Sequence, residues 1–413
     1  MSLRDDADKI IERSIKAVLP DEAVRKALSG KKFGAGRLIL VSIGKAGWQM
    51  ARAASDMLGS RISDGIVITK YGHVLEPISG LKIVEAGHPV PDENSFSGTE
   101  DAIKMVSGLT ENDTVLFLIS GGGSALFEKP AVSPEELKSI TQELLASGAD
   151  ITEINTIRKR ISLVKGGKFA EICAPAHVFS IVLSDIVGDP LDMIASGPAY
   201  PDSSTSEDAL RIVEKYGITL SERARELLMA ETPKKLSNVE TVITGSVREL
   251  CAAAAAACKE LGYEPQILTD CLCCEASDAG SFLASIAVTH QDTKESIAFI
   301  AGGETVVHLK GKGRGGRNQE LALSAARALE GLRDTCVFSV GSDGTDGPTD
   351  AAGGYVDQDS IGNSGEHQLT GKDAEQYLLD NDAYHALQRT NGLIMTGATG
   401  TNVNDVAVVL IRR

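Results

Sequence analysis

Ser120-Gly121-Gly122-Gly123-Ser124 follows directly on an apolar run over 115–119. Three adjacent glycines leave backbone N–H groups uncovered and permit positive φ, so a charged ligand can approach the chain closely. If a helix begins at Ala125, the loop also sits at a positive dipole end, where an anion is favoured. A plain glycine turn would account for this one cluster equally well. Two other glycine clusters, however, carry cations: Lys45 in GKAG, and Arg314 and Arg317 in GRGGRNQE. Turns alone do not require lysine or arginine, and N–H donors with such cations together suit a polyphosphate. Asp185, Asp189, Asp343 and Asp346 lie in further strand-end loops and are the carboxylates suited to magnesium, which takes hard oxygens and often only one or two protein carboxylates. Each of these aspartates is also an ordinary turn residue. Asn155, Arg158 and Lys159 share one face of a basic helical region over 151–174.

Other chemistries find less support. The chain has neither G-x-G-x-x-G nor G-x-x-x-x-G-K-[ST], so a standard dinucleotide fold and a standard P-loop are not indicated. There is no G-x-S-x-G elbow. His73, His88 and His308 are scattered and read as structural. Cys271, Cys273 and Cys274 lack a second pair or a histidine at zinc spacing and read as strand-end thiols.

Elements that would position these loops alternate along the chain. Strands are expected over 37–43, 65–69, 82–85, 115–119 and 179–184, with helices between them, and nearly every strand ends in glycine beside a polar or charged residue. A polar, proline-bearing segment over 231–235 marks a domain boundary. Residues 1–235 form one α/β domain and 236–413 a second, whose series opens with a strand over 241–244. A hairpin is expected over 306–310. The first thirty residues carry an amphipathic helix that could pack on either half.

At 413 residues the chain is long enough for two domains, and its 42% apolar and 24% charged content is that of a globular protein. A net charge of −16 argues against nucleic acid or an anionic membrane as partner, though one basic pocket suffices for a small anion. No apolar run is long enough to span a bilayer, and the charged N-terminus lacks a signal-peptide core. Seven cysteines, an odd number, suggest free thiols in a reducing cytoplasm.

The motifs GKAGW, KYGH, EAGHPVPDENS, LFLISGGGSALF, VLSDIVGDPLDMIASGP, GGETVVHLKGKGRGGRNQELAL, GSDGTDGPTDAAGG and GATGTNVNDV together resemble the class II glycerate kinases, formerly labelled hydroxypyruvate reductases. The likeness extends over nearly the whole chain. It implies two Rossmann-like three-layer α/β/α domains with an active site in the cleft between them. It also implies ATP-dependent, Mg²⁺-assisted phosphorylation of D-glycerate to 2-phosphoglycerate by a monomer or homodimer. The family's essential lysine falls on Lys45 and its essential arginine on Arg317. On this reading Ser120 to Ser124, with Gly302, Glu304 and Asp346, bind the nucleotide. Asn155, Arg158 and Lys159 hold a carboxylate or phosphate, and Asp189, Asp343 and Asp185 are the metal-side carboxylates. Two alternatives remain at this point: NAD(P)H-dependent hydroxypyruvate reduction, and a non-catalytic nucleotide-binding regulator.

Overall fold

The computed structural model describes residues 2–362 and 369–413, which fall into two compact units. The first unit comprises Pro20–Ser184 and Asp189–Thr244; the second comprises the residues up to Leu19, Asp185–Gly188 and Gly245–Arg413.

The first unit is built on β1 (Leu38–Ile43), β2 (Asp64–Lys70), β3 (Lys82–Ala86), β4 (Thr114–Ile119), β5 (His177–Leu183) and β6 (Val239–Gly245), in the order β3-β2-β1-β4-β5-β6. Pairing is parallel from β3 through β5. β1 and β4 are buried at every residue, which is why both read as nearly continuous apolar runs rather than as alternating ones. From β1 the chain steps outward one way to β2 and β3, then the other way from β4 to β5. The sheet therefore reverses between β1 and β4, and open α/β sheets bind ligands outside the carboxyl ends of strands at such a point. Ile43 is opposite Ile119, so the two following loops leave the sheet side by side.

β6 corrects the sequence expectation. It does not open the second series but forms the sixth strand of the first sheet, where Val178 N–H donates to Asn238 O at 2.7 Å. The polar segment before it signals exposure, not which sheet the next strand joins. The basic region is likewise two helices, Ile151–Ile161 and Lys168–Cys173. They are separated where Gly166 and Gly167 take φ of 60° and 86°.

The second unit holds β7 (Glu264–Leu272), β8 (Ile297–Gly303), β9 (Thr335–Gly341), β10 (Gly353–Asp357), β11 (Leu393–Ile394) and β12 (Asp405–Ile411), in the order β11-β10-β9-β12-β8-β7. β7 and β8 are parallel, β12 runs antiparallel to both β8 and β9, and β10 runs antiparallel to β9 and β11. Ala407, Val409 and Ile411 share a core with helices Ala276–Thr289 and Arg317–Leu329. Val406, Val408 and Leu410 are buried on the other side, as the alternation of a strand covered on both faces requires. The expected hairpin at 306–310 is absent; Val306 makes only an isolated bridge to Glu275. β10 was not anticipated, because its leading glycines read as loop. They are there for close approach: a Cβ on Gly353 would lie 2.0 Å from Ser339 O. Among the described residues no helix is long and apolar enough to cross a membrane.

Helices Ala276–Thr289 and Arg317–Leu329 meet at Gly280, where a Cβ would come within 2.0 Å of both Leu321 O and Ser324 Oγ. Gly280→Leu must force these helices apart. It is expected to destabilise the protein by about 3 kcal/mol, read as a lower urea midpoint at unchanged slope.

Candidate active site

The loops at the reversal point are tied together by the backbone. Lys45 N–H donates to Gly121 O at 2.8 Å, and Gly44 N–H to Ile68 O at 3.1 Å. Ser120 Oγ accepts from Ala46 N–H and donates to Ile43 O, both at 3.1 Å. Gly44 has φ of 107°, and a Cβ there would lie 2.3 Å from Ser120 Oγ, so only glycine lets the two loops come together. In the SGGGS loop it is the carbonyls that bond: Gly121 O to Lys45, Gly122 O to Ala125 and Leu126, and Gly123 O to Phe127. The N–H groups of Gly121 to Ser124 are left without a backbone acceptor among the described residues. A four-residue helix, Gly123–Leu126, follows. Beside it the half-buried Lys45 has no carboxylate partner among the described residues. An ammonium next to bare amides is a geometry that suits an anion.

Two histidines read from sequence as structural lie in the same place. His73 Nδ1 is 2.9 Å from Lys45 O. A Cβ on Gly122 would lie 3.0 Å from His88 Cδ2, 3.1 Å from its Nε2 and 3.2 Å from Lys45 Cγ. Burial and the neighbouring Lys45 hold His88 below the usual histidine range. The signal that could have found both was position: KYGH and EAGHP end β2 and β3 at the carboxyl edge of the sheet.

The basic helix face is only partly directed at this loop. Arg158 Nη2 donates to Ser124 O at 2.9 Å, and its ion pair with the buried Glu128 is long, at 3.8 Å. Asn155 Oδ1 accepts from Ser196 Oγ at 3.1 Å, and Ser196 Oγ lies 2.9 Å from Ser124 Oγ. Lys159 is different. Its ammonium is buried against Asp202 at 3.0 Å and reaches Asp192 at 3.5 Å, so it holds the fold together. Ser196, which sequence reasoning missed, stands in a run of left-handed residues, with φ of 51° at Ala195, 61° at Ser196 and 63° at Gly197. Two consecutive non-glycine residues in that conformation cost of order 1–3 kcal/mol each, the kind of strain that gathers at functional loops. Gly123 packs on this run, where a Cβ would meet Ala195 Cβ at 2.6 Å.

In the second unit, Arg317 is the first residue of its helix. Its Nε and Nη2 donate to the two oxygens of Asp405 at 2.5 and 3.1 Å, and its Nη1 donates to Glu304 at 2.9 Å. Burial opposes its charge, but Asp405, Glu304 and Asp346 outweigh it and raise its pKa. The guanidinium has five N–H donors, three of them used here, and its side chain is 33% exposed. Asp405, also missed, is placed by register opposite Gly303 on one side and Gly341 on the other. Glu304 thus faces Arg317, and its second oxygen accepts from Asn404 Nδ2 at 3.1 Å. Gly302 packs inward, where a Cβ would lie 2.3 Å from Cys251 Sγ. Asp346 accepts from Asn318 and Gln319 N–H at 3.2 and 2.8 Å, capping the helix that Arg317 begins.

Among the aspartates expected on the metal side, Asp343 Oδ1 accepts from Thr345 N–H at 3.0 Å as a turn residue does. Asp185 contributes its backbone O to Asn404 Nδ2 at 3.3 Å. Asp189 has φ of 53°, and its Oδ1 is buried without a hydrogen-bond partner. Among the described residues no three His, Cys, Asp or Glu side chains gather as a metal-ligand group.

A family model described as "Domain of unknown function (DUF4147)" matches residues 6–229, and the MOFRL family model matches 297–405. The chain is 54% identical to the D-glycerate 2-kinase of Thermotoga maritima, covering 99% of each chain. It is 41% identical to the glycerate 2-kinase of Pyrococcus horikoshii, covering 100% of this chain and 98% of the other. The crystal structure of the Thermotoga maritima glycerate kinase superposes with a TM-score of 0.94 at 53% identity, over 99% of each chain.

Burial pushes the Asp346 carboxyl up to about 6 despite its two helix N–H donors. A raised carboxyl pKa contributes stability that is complete below the unfolded value, near 4, and is lost as pH rises through about 6. The unfolding free energy of the wild type relative to Asp346→Asn should therefore fall by about 2 kcal/mol between pH 4 and 7, measured by urea titration.

Proposed function

The chain belongs to the class II glycerate kinases, and from that membership we propose that it transfers the γ-phosphoryl group of ATP to the 2-hydroxyl of D-glycerate, releasing 2-phosphoglycerate and ADP. The observation that carries the reading is Lys45, without a carboxylate partner among the described residues, beside the SGGGS loop amides that have no backbone acceptor there, at the point where the first sheet reverses. Phosphoryl transfer asks a protein for little covalent chemistry; it asks for positioning and for positive charge around the migrating group.

In this reading the N–H groups of Gly121 to Ser124 hold phosphate oxygens, and Lys45 meets the charge that develops on the γ-phosphoryl group. Arg158, anchored through Ser124 O, adds a second cation at the same loop. Arg317 serves the same turnover with its two uncommitted N–H donors, oriented by Asp405 and Glu304. Magnesium, when bound, supplies neutralisation of the β- and γ-phosphate oxygens. The buried, unsatisfied Asp189 Oδ1 is the hard oxygen here that fits it. Asn155 and Ser196 offer an amide and a hydroxyl, respectively, for the polar groups of glycerate.

Reduction of hydroxypyruvate would need dinucleotide phosphates held by a G-x-G-x-x-G turn after β1. The turn present is Gly44-Lys45-Ala46-Gly47-Trp48-Gln49, with Ala46 and Gln49 where that fingerprint needs its second and third glycines.

Incubation with D-glycerate, ATP and Mg²⁺ should yield 2-phosphoglycerate, resolved from the 3-isomer by NMR, while NADH with hydroxypyruvate should give no oxidation. Lys45→Ala and Arg317→Ala should each lower kcat at least about a thousandfold with the far-ultraviolet circular dichroism unchanged. Near-normal rates in either variant would remove that residue's assignment. Asp189→Asn should raise the Mg²⁺ concentration needed for half-maximal rate.

A further inference from the structure

His88 is not accounted for by phosphate binding. It follows β3, the outer strand on the β1 side, yet its ring reaches back to the reversal point and lies against Gly122 and Lys45. Its ring is half-buried and makes no hydrogen bond within the described residues. A structural histidine at this depth would ordinarily satisfy a ring nitrogen with a neighbouring carbonyl or carboxylate, as His73 does with Lys45 O at 2.9 Å.

Its surroundings are cationic. Lys45, Lys70 and His73 face it, and with burial they favour the neutral ring. The nearest carboxylate on its own loop, Asp92, is engaged elsewhere. It accepts from Tyr71 Oη at 2.7 Å and from Ser95 N–H at 3.0 Å at the start of helix Glu93–Val106. A neutral imidazole with a free nitrogen, among cations and beside amides suited to phosphate, is a proton acceptor kept available.

We propose that His88 is the catalytic base: its Nε2 takes the proton of the acceptor hydroxyl as that oxygen attacks the γ-phosphorus. The oxygen–phosphorus bond forms as the bond between the γ-phosphorus and the β,γ-bridging oxygen breaks. ADP leaves with the electron pair, and the imidazolium returns its proton to solvent. The assignment rests on the kinase reading given above and adds to it the group that accepts the proton.

His88→Gln keeps the size and hydrogen-bonding capacity of the ring but cannot take a proton. Its kcat should fall about a hundredfold with the KM for glycerate within about threefold, and the acid limb of the kcat–pH profile should disappear. In the wild type the rate should fall as pH drops through a value below the usual histidine range. His88→Ala should regain part of its rate when imidazole is added, an effect that loss of a packing residue would not show. A His88→Gln rate within fivefold of wild type, or a retained acid limb, would overturn the proposal while the kinase reading stood. Failure of the unsubstituted chain to phosphorylate glycerate would overturn both, and the two failures are distinct.

Discussion

Most of the first unit's arrangement follows from one constraint: β1 and β4 must leave the sheet side by side with only backbone and the Ser120 hydroxyl between their loops. Parallel neighbours in register from Leu38↔Thr114 to Ile43↔Ile119 bring GKAG and SGGGS together. Any Cβ at Gly44 would collide with Ser120, and any at Gly123 with Ala195. What remains is a wall of peptide dipoles, with Ser120 bridging the two loops through one donated and one accepted hydrogen bond. Burying both strands completely makes that wall rigid, because a fully covered parallel pair has no solvent face along which to slip register. Preorganisation of this kind lets backbone amides act on charge without reorienting.

The two cations singled out in the sequence are held on opposite principles. Lys45 stands without a counter-charge among the described residues, so its positive field is available to a ligand. Arg317 is nearly neutralised, with Asp405 gripping it through two parallel bonds and Glu304 adding a third. A bidentate clasp fixes the plane of a guanidinium and so the direction of its remaining N–H groups, which a lysine in the same place could not offer. Asp346 reinforces the arrangement from below by capping the helix on which Arg317 stands. The acidic residues around Arg317 therefore orient it.

The central strands β1, β4, β9 and β12 were largely legible, because full burial imposes apolar runs on them. The glycine loops that follow β1 and β4 were legible as well, since a lysine beside glycine, as in Gly44-Lys45, is not something a turn alone requires. What was not legible depended on contacts distant in sequence. Nothing in the residues around Thr241 says that their strand joins β5, and nothing in Gly353-Gly354 distinguishes a loop from a strand lying close against Ser339. His88 looked isolated because only the strand order brings β3's following loop toward β1. Asp405 was unremarkable until the antiparallel register of β12 set it between Gly303 and Gly341.

Charge shows why local and global readings diverge. A net −16 would repel a nucleotide at long range, yet at physiological salt that repulsion is screened beyond roughly 8 Å. The cationic residues of the 151–174 region are numerous, but most of them are consumed internally. Lys159 and Arg160 are paired with Asp202, Lys165 with Glu128, and Lys168 donates to three backbone carbonyls, of Lys159, Arg160 and Ser162. Burial pushes both Lys165 and Lys168 down to about 8, so removing the carboxylate beside Lys165 would leave an ammonium with little reason to stay charged. Such residues fix the geometry behind the SGGGS loop and add no free charge to it. Positive potential at the loop then comes from Lys45, from Arg158 held through Ser124 O, and from peptide N–H groups. A small number of well-placed donors, and not an excess of basic residues, is what lets an acidic protein present a cradle for a highly charged anion.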